Sequence, residues 1–442
     1  MSNINVEQIR EAGIVGAGGA GFPTYVKLAA QADTVLINAA ECEPLLHKDK
    51  EVLRAFANEV IAGLGIAMRL TGAQRGIIGI KEKYADVIQT VREKLDTGME
   101  VLPLRDVYPA GDEFTLVYSC TGRIIPPGAI PLAVGVVVMN VETAMNVAAA
   151  DRQPVVDKFL SVAGGVAQPI TLRVPVGITL RECIAAAGGV TIDDPHYVIG
   201  GVMMGYLEEN LDAIVTKTTG GILVLPPTSM AVSRRKRDWN QVAKIGRAAC
   251  DQCSFCTELC PRYLLGHPIE PHRAMRGLGF NLSKASDTPG TEFCCECNLC
   301  SFISCPEDLD PKEVCAQNKA RILQSKNRWP DPPFMPSRAA MHLENRSTPT
   351  SRLIQRLGLR GFRNVGPLVD GLLSTDRVGI ALKQHIGAPC EPTVKPSESV
   401  RRGQAIARPP VQDGKPALGA PVHASIDGRV TAIENGTIWI EK

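Results

Sequence analysis

The chain has almost no net charge, +2 from 48 basic and 46 acidic side chains in 442 residues, so composition gives no reason to expect nucleic acid or an acidic surface as a partner. A long apolar run is also missing. The longest candidate, Ala129–Met139, contains Pro131 and falls far short of the roughly 20 residues a membrane-spanning helix needs. The first residues, Met1–Arg10, are polar and hold no apolar stretch of the kind a secretory signal carries. The expected location is therefore cytoplasmic. Cysteine, by contrast, is plentiful: there are fourteen. Eight fall into two tight groups, and in a reducing compartment that pattern points to metal ligation rather than disulfides.

At roughly 150 residues per domain, the length suggests about three folding units. In residues 1–153, helix-like Val6–Ala12 leads into a glycine-rich turn, Gly16–Gly21. A buried strand (Thr34–Asn38), a helix (Glu51–Leu70) and another strand (Arg75–Ile80) follow. This alternation predicts a parallel, Rossmann-like α/β domain. Residues 154–232 are β-rich at Ile170–Val174, Tyr197–Ile199 and Gly221–Leu225, around one helix, Leu180–Ala187, closed by Gly188–Gly189. The charge run Ser233–Asp238 reads as a solvated linker, and residues 239–328 hold the cysteine motifs. A linker follows at 329–374, opening on the proline-rich Trp329–Pro336. It includes an amphipathic segment, Ser351–Arg363, whose Leu353, Ile354, Leu357 and Leu359 are expected to dock on a neighbouring domain. Residues 375–442 consist of short β runs, and Pro421–Thr431 reads as the hairpin of a lipoyl-type barrel. The tip Asp427-Gly428-Arg429 offers no lysine, which excludes a swinging arm.

Cys250-x2-Cys253-x2-Cys256-x3-Cys260-Pro261 is the ferredoxin pattern, and Cys294-x2-Cys297-x2-Cys300-x4-Cys305-Pro306 repeats it with one extra residue. Three thiolates at x2 spacing wrap one cubane, while the fourth cysteine of each run ligates the other cluster. Two 4Fe–4S clusters are therefore expected. Cys250, Cys253, Cys256 and Cys305 would hold one, and Cys294, Cys297, Cys300 and Cys260 the other. A pair of zinc sites also uses x2 spacing, but the third x2 cysteine and the closing Cys-Pro favour iron–sulfur. Cys295 has poor spacing for a ligand. Cys42, Cys120, Cys183, Cys315 and Cys390 are expected to be buried thiols.

Clusters handle single electrons and nicotinamides hydride pairs, so a flavin is the natural converter between them. Gly16-Ala17-Gly18-Gly19-Ala20-Gly21-Phe22-Pro23-Thr24 exposes backbone N–H groups suited to a phosphate or flat ring, with Lys27 as a counter-charge. Gly16, Gly18 and Gly21 fit the dinucleotide spacing, but no strand precedes them. Together with Lys27, Asn38-Ala39-Ala40-Glu41-Cys42-Glu43-Pro44 and Asn140-Val141-Glu142-Thr143, the loop resembles the flavin-binding component of respiratory complex I and the RnfC component of the Rnf complex.

The resemblance implies FMN held by Gly16, Gly18, Gly19, Gly21, Phe22, Lys27, Asn38, Asn140 and Thr143. NADH would lie above it, its ribose hydroxyls held by Glu41, Glu43 and Glu113. It also implies a β-grasp (SLBB) module at 154–232 and a barrel-sandwich hybrid module at 375–442, which RnfC carries at its N-terminus. The full fold expectation is thus a multidomain α/β protein with a helical two-cluster ferredoxin domain between those modules. That order most resembles the cobalamin reductases of propanediol-utilisation microcompartments. Cobalamin presented by a corrinoid adenosyltransferase, and microcompartment components, are then the implied partners. Ala17, Ala30 and Asp112 depart from the complex I pattern and put the NADH contacts in question. No cobalamin pocket is visible: Asp194–Gly200 approaches the D-x-H-x-x-G signature but is one residue too long, so His196 reads as structural.

Overall fold

The computed structural model describes residues 3–279, 288, 290–325, 338–412 and 414–442; the proline-rich Trp329–Pro336 lies outside these. The N-terminal sheet is parallel throughout, in the order Met99–Leu104, Arg75–Lys81, Thr34–Ala39, Val136–Asn140. Arg75–Lys81, Thr34–Ala39 and Val136–Asn140 are buried on both faces, as parallel strands between helices are, while the edge strand Met99–Leu104 is only partly covered. Along the Thr34–Ala39 strand, Val35 and Ile37 enter one core with the helices Ala57–Thr71 and Val141–Ala148, while Leu36 enters a second core under Glu113–Thr121. That alternation is the period-2 rule of a strand with a core on each side. The predicted Glu51–Leu70 helix is two helices, Lys48–Ala55 and Ala57–Thr71, because Phe56 leaves helical geometry (φ −125°, ψ 38°).

The second module has six strands in the order Leu368–Leu372, Ile170–Pro175, Asp157–Gly164, Gly221–Leu225, His196–Ile199, Tyr206–Glu208. Helix Leu180–Ala186 packs on this sheet and begins with a capping box between Thr179 and Glu182. The Leu368–Leu372 strand comes from the predicted linker, so that segment completes a sheet instead of merely connecting domains. The amphipathic segment forms the short helix Thr350–Arg356, and its Leu353, Leu357 and Leu359 are buried against the β-grasp and cysteine-bearing modules.

Two expectations need correcting. The charge run is no solvated linker: it starts inside a helix, Met230–Arg235, and Arg234 is 7% exposed. Its guanidinium donates to the carbonyls of Ser301 and Leu309 and pairs with Asp308. Arg235 donates to the carbonyls of Val202, Met203 and Gly205. In the C-terminal module, the hairpin is Gly428–Glu434 with Thr437–Glu441, closed by left-handed Asn435 and Gly436. Pro421–Thr431 instead crosses from one small sheet, containing Val422–His423, to the other. No helix among the described residues is long and apolar enough to cross a membrane.

Candidate functional site

In an open parallel sheet, ligands settle beyond the carboxyl ends of the strands where the strand order reverses. Here the reversal lies between Thr34–Ala39 and Val136–Asn140, whose last paired residues are Asn38 and Asn140. Two asparagines singled out from sequence are thus neighbours at the switch point. Asn38 Nδ2 donates to the Gly111 carbonyl at 2.8 Å, and its Oδ1 accepts the Ala40 N–H. Asn140 caps the Val141–Ala148 helix by accepting the Glu142 N–H, and its Nδ2 donates to Asp49 at 2.8 Å.

The glycine loop is pinned over this end of the sheet. The Gly16 N–H donates to the Phe22 carbonyl at 3.0 Å, closing the loop at its base. Ala17 is buried and its N–H donates to Thr143 Oγ1 at 3.0 Å. Gly18, Gly19 and Ala20 are exposed. A Cβ on Gly18 would press Asn140 at 3.2 Å, whereas one on Gly19 would project into open space, with a φ of +145° that favours glycine. That open cradle suits a flat ring or phosphate. Lys27 stands at its side, donating to the Val138 carbonyl at 3.0 Å and to Glu113 at 3.3 Å.

Not every predicted residue faces this cradle. Gly21 is buried, and a Cβ there would meet Thr218 at 2.8 Å and the backbone of His385 at 3.1 Å. It packs against other modules and has no room for a ligand. Both carboxylate oxygens of Glu43 accept backbone N–H groups, from Met203 and Met204, at 2.8 Å. It is a strut to the β-grasp module rather than a ribose ligand. Burial pushes its carboxyl up to about 7, against the pull of those two N–H donors. Glu41 accepts the Glu43 N–H at 2.9 Å and is half-buried, while Glu113 shares the Lys27 ammonium. Asp112 caps the Glu113–Thr121 helix and pairs with Arg262, which accounts for an aspartate at this position.

The structure brings the first four cysteines of the expected assignment into one groove, and in the second group Cys315 partners Cys294 and Cys295 partners Cys297. Cys250, Cys253, Cys256 and Cys305 line one open groove with His272, Met275 and Leu309. Cys260, Cys297 and Cys300 are buried; Cys295 hydrogen-bonds Cys297, and the charges of Cys300 and Cys260 also act on it. Cys294 is half-buried beside them. Both loops turn their thiols inward by the same device: Gln252 and Ser254 in the first, Glu296 and Asn298 in the second, all have left-handed φ of 57–68°. The sulfurs also meet backbone donors, Glu296 N–H on Cys294 and Leu309 N–H on Cys305, each at 3.4 Å. The extra residue before Cys305 is absorbed as a π-helical turn, Cys300–Ser304. Among the described residues no three His, Cys, Asp or Glu side chains sit at the spacing of a single-ion site.

Several residues join the two sites and escaped sequence reasoning. Arg262 follows Cys260 by two positions and lies 4.0 Å over the Phe114 ring while pairing with Asp112. Tyr108, 1% exposed, donates its hydroxyl to the Cys297 carbonyl at 2.8 Å. Asn298 donates to the Met203 carbonyl, the neighbour of Glu43. An arginine straight after a Cys-Pro was the available signal. Tyr108 carried none, because its partner is a backbone atom 189 positions away.

Comparison with known proteins agrees with this layout. Residues 9–149 match the Nuo51 FMN-binding domain, 159–207 the SLBB domain, 249–310 the 4Fe-4S dicluster domain and 368–441 the RnfC barrel sandwich hybrid domain. A component of the Na(+)-translocating ferredoxin:NAD(+) oxidoreductase complex from Acetobacterium woodii is 34% identical over 58% of this chain and 58% of its own length. Cobalamin reductases PduS from Citrobacter freundii and Salmonella typhimurium are each 44% identical over 98% of this chain and 95% of theirs. The chain is an electron-transfer oxidoreductase of the FMN and iron–sulfur type, and it belongs to the cobalamin reductase PduS family.

Proposed function

We propose that the protein oxidises NADH at an FMN held in the glycine-loop cradle and delivers the electrons, through two 4Fe–4S clusters, to cobalamin. When bound, the flavin supplies the exchange between a hydride pair and single electrons. The residues supply its seat: Gly16, Gly18, Gly19 and Phe22 as the loop, Lys27 as counter-charge, and Asn38, Asn140 and Thr143 as the polar floor. Glu41 and Glu113 are the carboxylates left to meet the ribose of NADH once Glu43 is committed to Met203 and Met204. Cys250, Cys253, Cys256 and Cys305 hold one cluster; Cys260, Cys294, Cys297 and Cys300 hold the other. One NADH yields NAD+, a proton and two electrons, enough to take two cob(II)alamin to cob(I)alamin or one cob(III)alamin to cob(I)alamin.

The observation that carries this reading is the seating of one cysteine group on the flavin-type domain, at its 108–112 segment. Tyr108 holds Cys297, and Asp112 holds Arg262 beside Cys260. The relatives' name and 44% identity over nearly the whole chain support cobalamin as the acceptor; presentation of the corrinoid by an adenosyltransferase within a microcompartment is part of the same proposal. The likeness to the ferredoxin:NAD(+) oxidoreductase component favours a second reading, transfer to ferredoxin.

Anaerobic purification with FMN and iron assays, followed by NADH and then cob(II)alamin, separates the two. Flavin and cluster absorbance should bleach with NADH, and cob(I)alamin absorbance should then grow. Bleaching followed by reduction of ferredoxin alone would favour the second reading. No bleaching would leave an electron relay without its own NADH site.

A further inference from the structure

Lys158 belongs to the β-grasp strand Asp157–Gly164, yet its ammonium lies inside the flavin-type domain. It is 1% exposed, pairs with Glu142 and donates to the Ala17 carbonyl at 3.2 Å. Glu142, also 1% exposed, takes Lys48 Nζ at 3.1 Å and the Phe159 N–H at 3.0 Å. Ala17 is the buried residue at the root of the exposed stretch Gly18–Ala20. Its N–H is held by Thr143 and its carbonyl by Lys158, so both of its polar backbone groups are fixed by side chains, one of them from another module.

Burying an ammonium and a carboxylate costs several kcal/mol per ion before their attraction offsets it, and an apolar pair would join two modules at least as well. What an apolar side chain would not supply is a donor for the Ala17 carbonyl. A loop with four glycines in six residues has many accessible shapes, and only the one that opens toward Asn38 and Asn140 is useful.

We propose that Lys158 is a positioning residue for the flavin, fixing the glycine loop through the Ala17 carbonyl so that Gly18 and Gly19 are presented to the cofactor. The β-grasp module is then part of the flavin site without touching the flavin. This rests on the reading that FMN sits in the glycine-loop cradle.

The test is FMN affinity, measured by fluorescence quenching as flavin-stripped protein is reconstituted, with iron content and visible circular dichroism of the flavin read alongside. Lys158→Met should weaken FMN binding by about tenfold or more and alter the flavin dichroism while iron content holds; Lys158→Arg should restore most of the affinity. A folded Lys158→Met that binds FMN as the parent does would overturn the proposal. Should that variant not fold, the double variant Lys158→Met with Glu142→Gln decides, since it removes the donor to the Ala17 carbonyl without stranding the Glu142 carboxylate. Parental affinity in that double variant would likewise overturn the proposal. Gly19→Val keeps the two readings apart. If it binds FMN normally, the flavin lies elsewhere and the cradle reading itself fails. If it loses FMN while Lys158→Met does not, only the role of Lys158 is refuted.

Discussion

At the scale of single residues, the buried lysines separate into two kinds. Lys48, Lys81 and Lys158 are nearly inaccessible, and each has a carboxylate partner: Asp49 and Glu142, Asp106, and Glu142. Lys217 is 2% exposed and, among the described residues, has only the carbonyls of Gly13 and Pro421, at 2.8 and 2.9 Å. Those carbonyls come from the first and last modules, so one ammonium ties three modules together. Burial drops its ammonium to about 8 from an ordinary 10.5. Below pH 8 the lysine is charged in both native and unfolded chains, and the full burial cost stands, about 3 kcal/mol at 1.4 kcal/mol per pH unit. Between pH 8 and 10.5 the unfolded chain holds a proton the native one has released, so stability rises with pH across that window. Lys217→Met has no such term. The difference in melting temperature between parent and variant should therefore move in the parent's favour by several degrees from pH 7 to pH 10. A constant difference would mean that Lys217 keeps its charge throughout.

At the scale of elements, the cysteine loops depend on four non-glycine residues in left-handed backbone. Gln252 is the cleanest to probe, because its side chain makes one exposed contact, to Arg276 at 2.7 Å. Gln252→Gly should be neutral or gain a few tenths of a kcal/mol, since glycine takes this conformation without strain. Gln252→Val should cost about 1–2 kcal/mol and splay Cys250 from Cys253. Anaerobically purified Gln252→Val should then carry roughly half the parent's iron, and Gln252→Gly all of it. Equal iron in both would show that φ at this position does not gather the thiols.

The spacing of the eight cysteines is legible because a ligand set must be local and repeated; the backbone handedness that makes the spacing work is not written in any residue type. The same limit explains the misread segments. Ser233–Asp238 looks like a solvated face because charge in sequence says nothing about carbonyls waiting at Ser301, Leu309 and Gly205. Leu368–Leu372 looks like linker because its partner strand lies some 200 positions earlier. Asn38, Asn140 and Lys27 were legible as a family pattern, but that Asn38 and Asn140 are register partners became visible only in the sheet.

At the scale of the whole molecule, one ion pair among the described residues joins the flavin-type and cysteine-bearing modules, beside the neutral hydrogen bonds of Tyr108 to the Cys297 carbonyl and of His267 with the Ile125 carbonyl. Arg262 pairs with Asp112, with Nη2 to Oδ1 at 2.8 Å, and covers the Phe114 ring. Burial pushes the Asp112 carboxyl up, but the Arg262 charge and hydrogen bonds outweigh it and hold the carboxyl below its ordinary range. In the parent, the pair therefore contributes stability at every pH above the usual aspartate range and loses it only on acidification through still lower values. Removing the cation reverses this. In Arg262→Met, the stranded carboxylate should cost about 3–5 kcal/mol near neutral pH. Its folded-state pKa would then lie above the unfolded one, so native protein takes up a proton as pH falls. The variant's deficit in melting temperature should accordingly be largest at pH 8 and shrink toward pH 5.5, and adding Asp112→Asn should remove that dependence. A deficit of the same size at both pH values would mean water reaches Asp112 once Arg262 is gone. The seam would then be held by Phe114, Tyr108 and the Cys297 carbonyl rather than by charge.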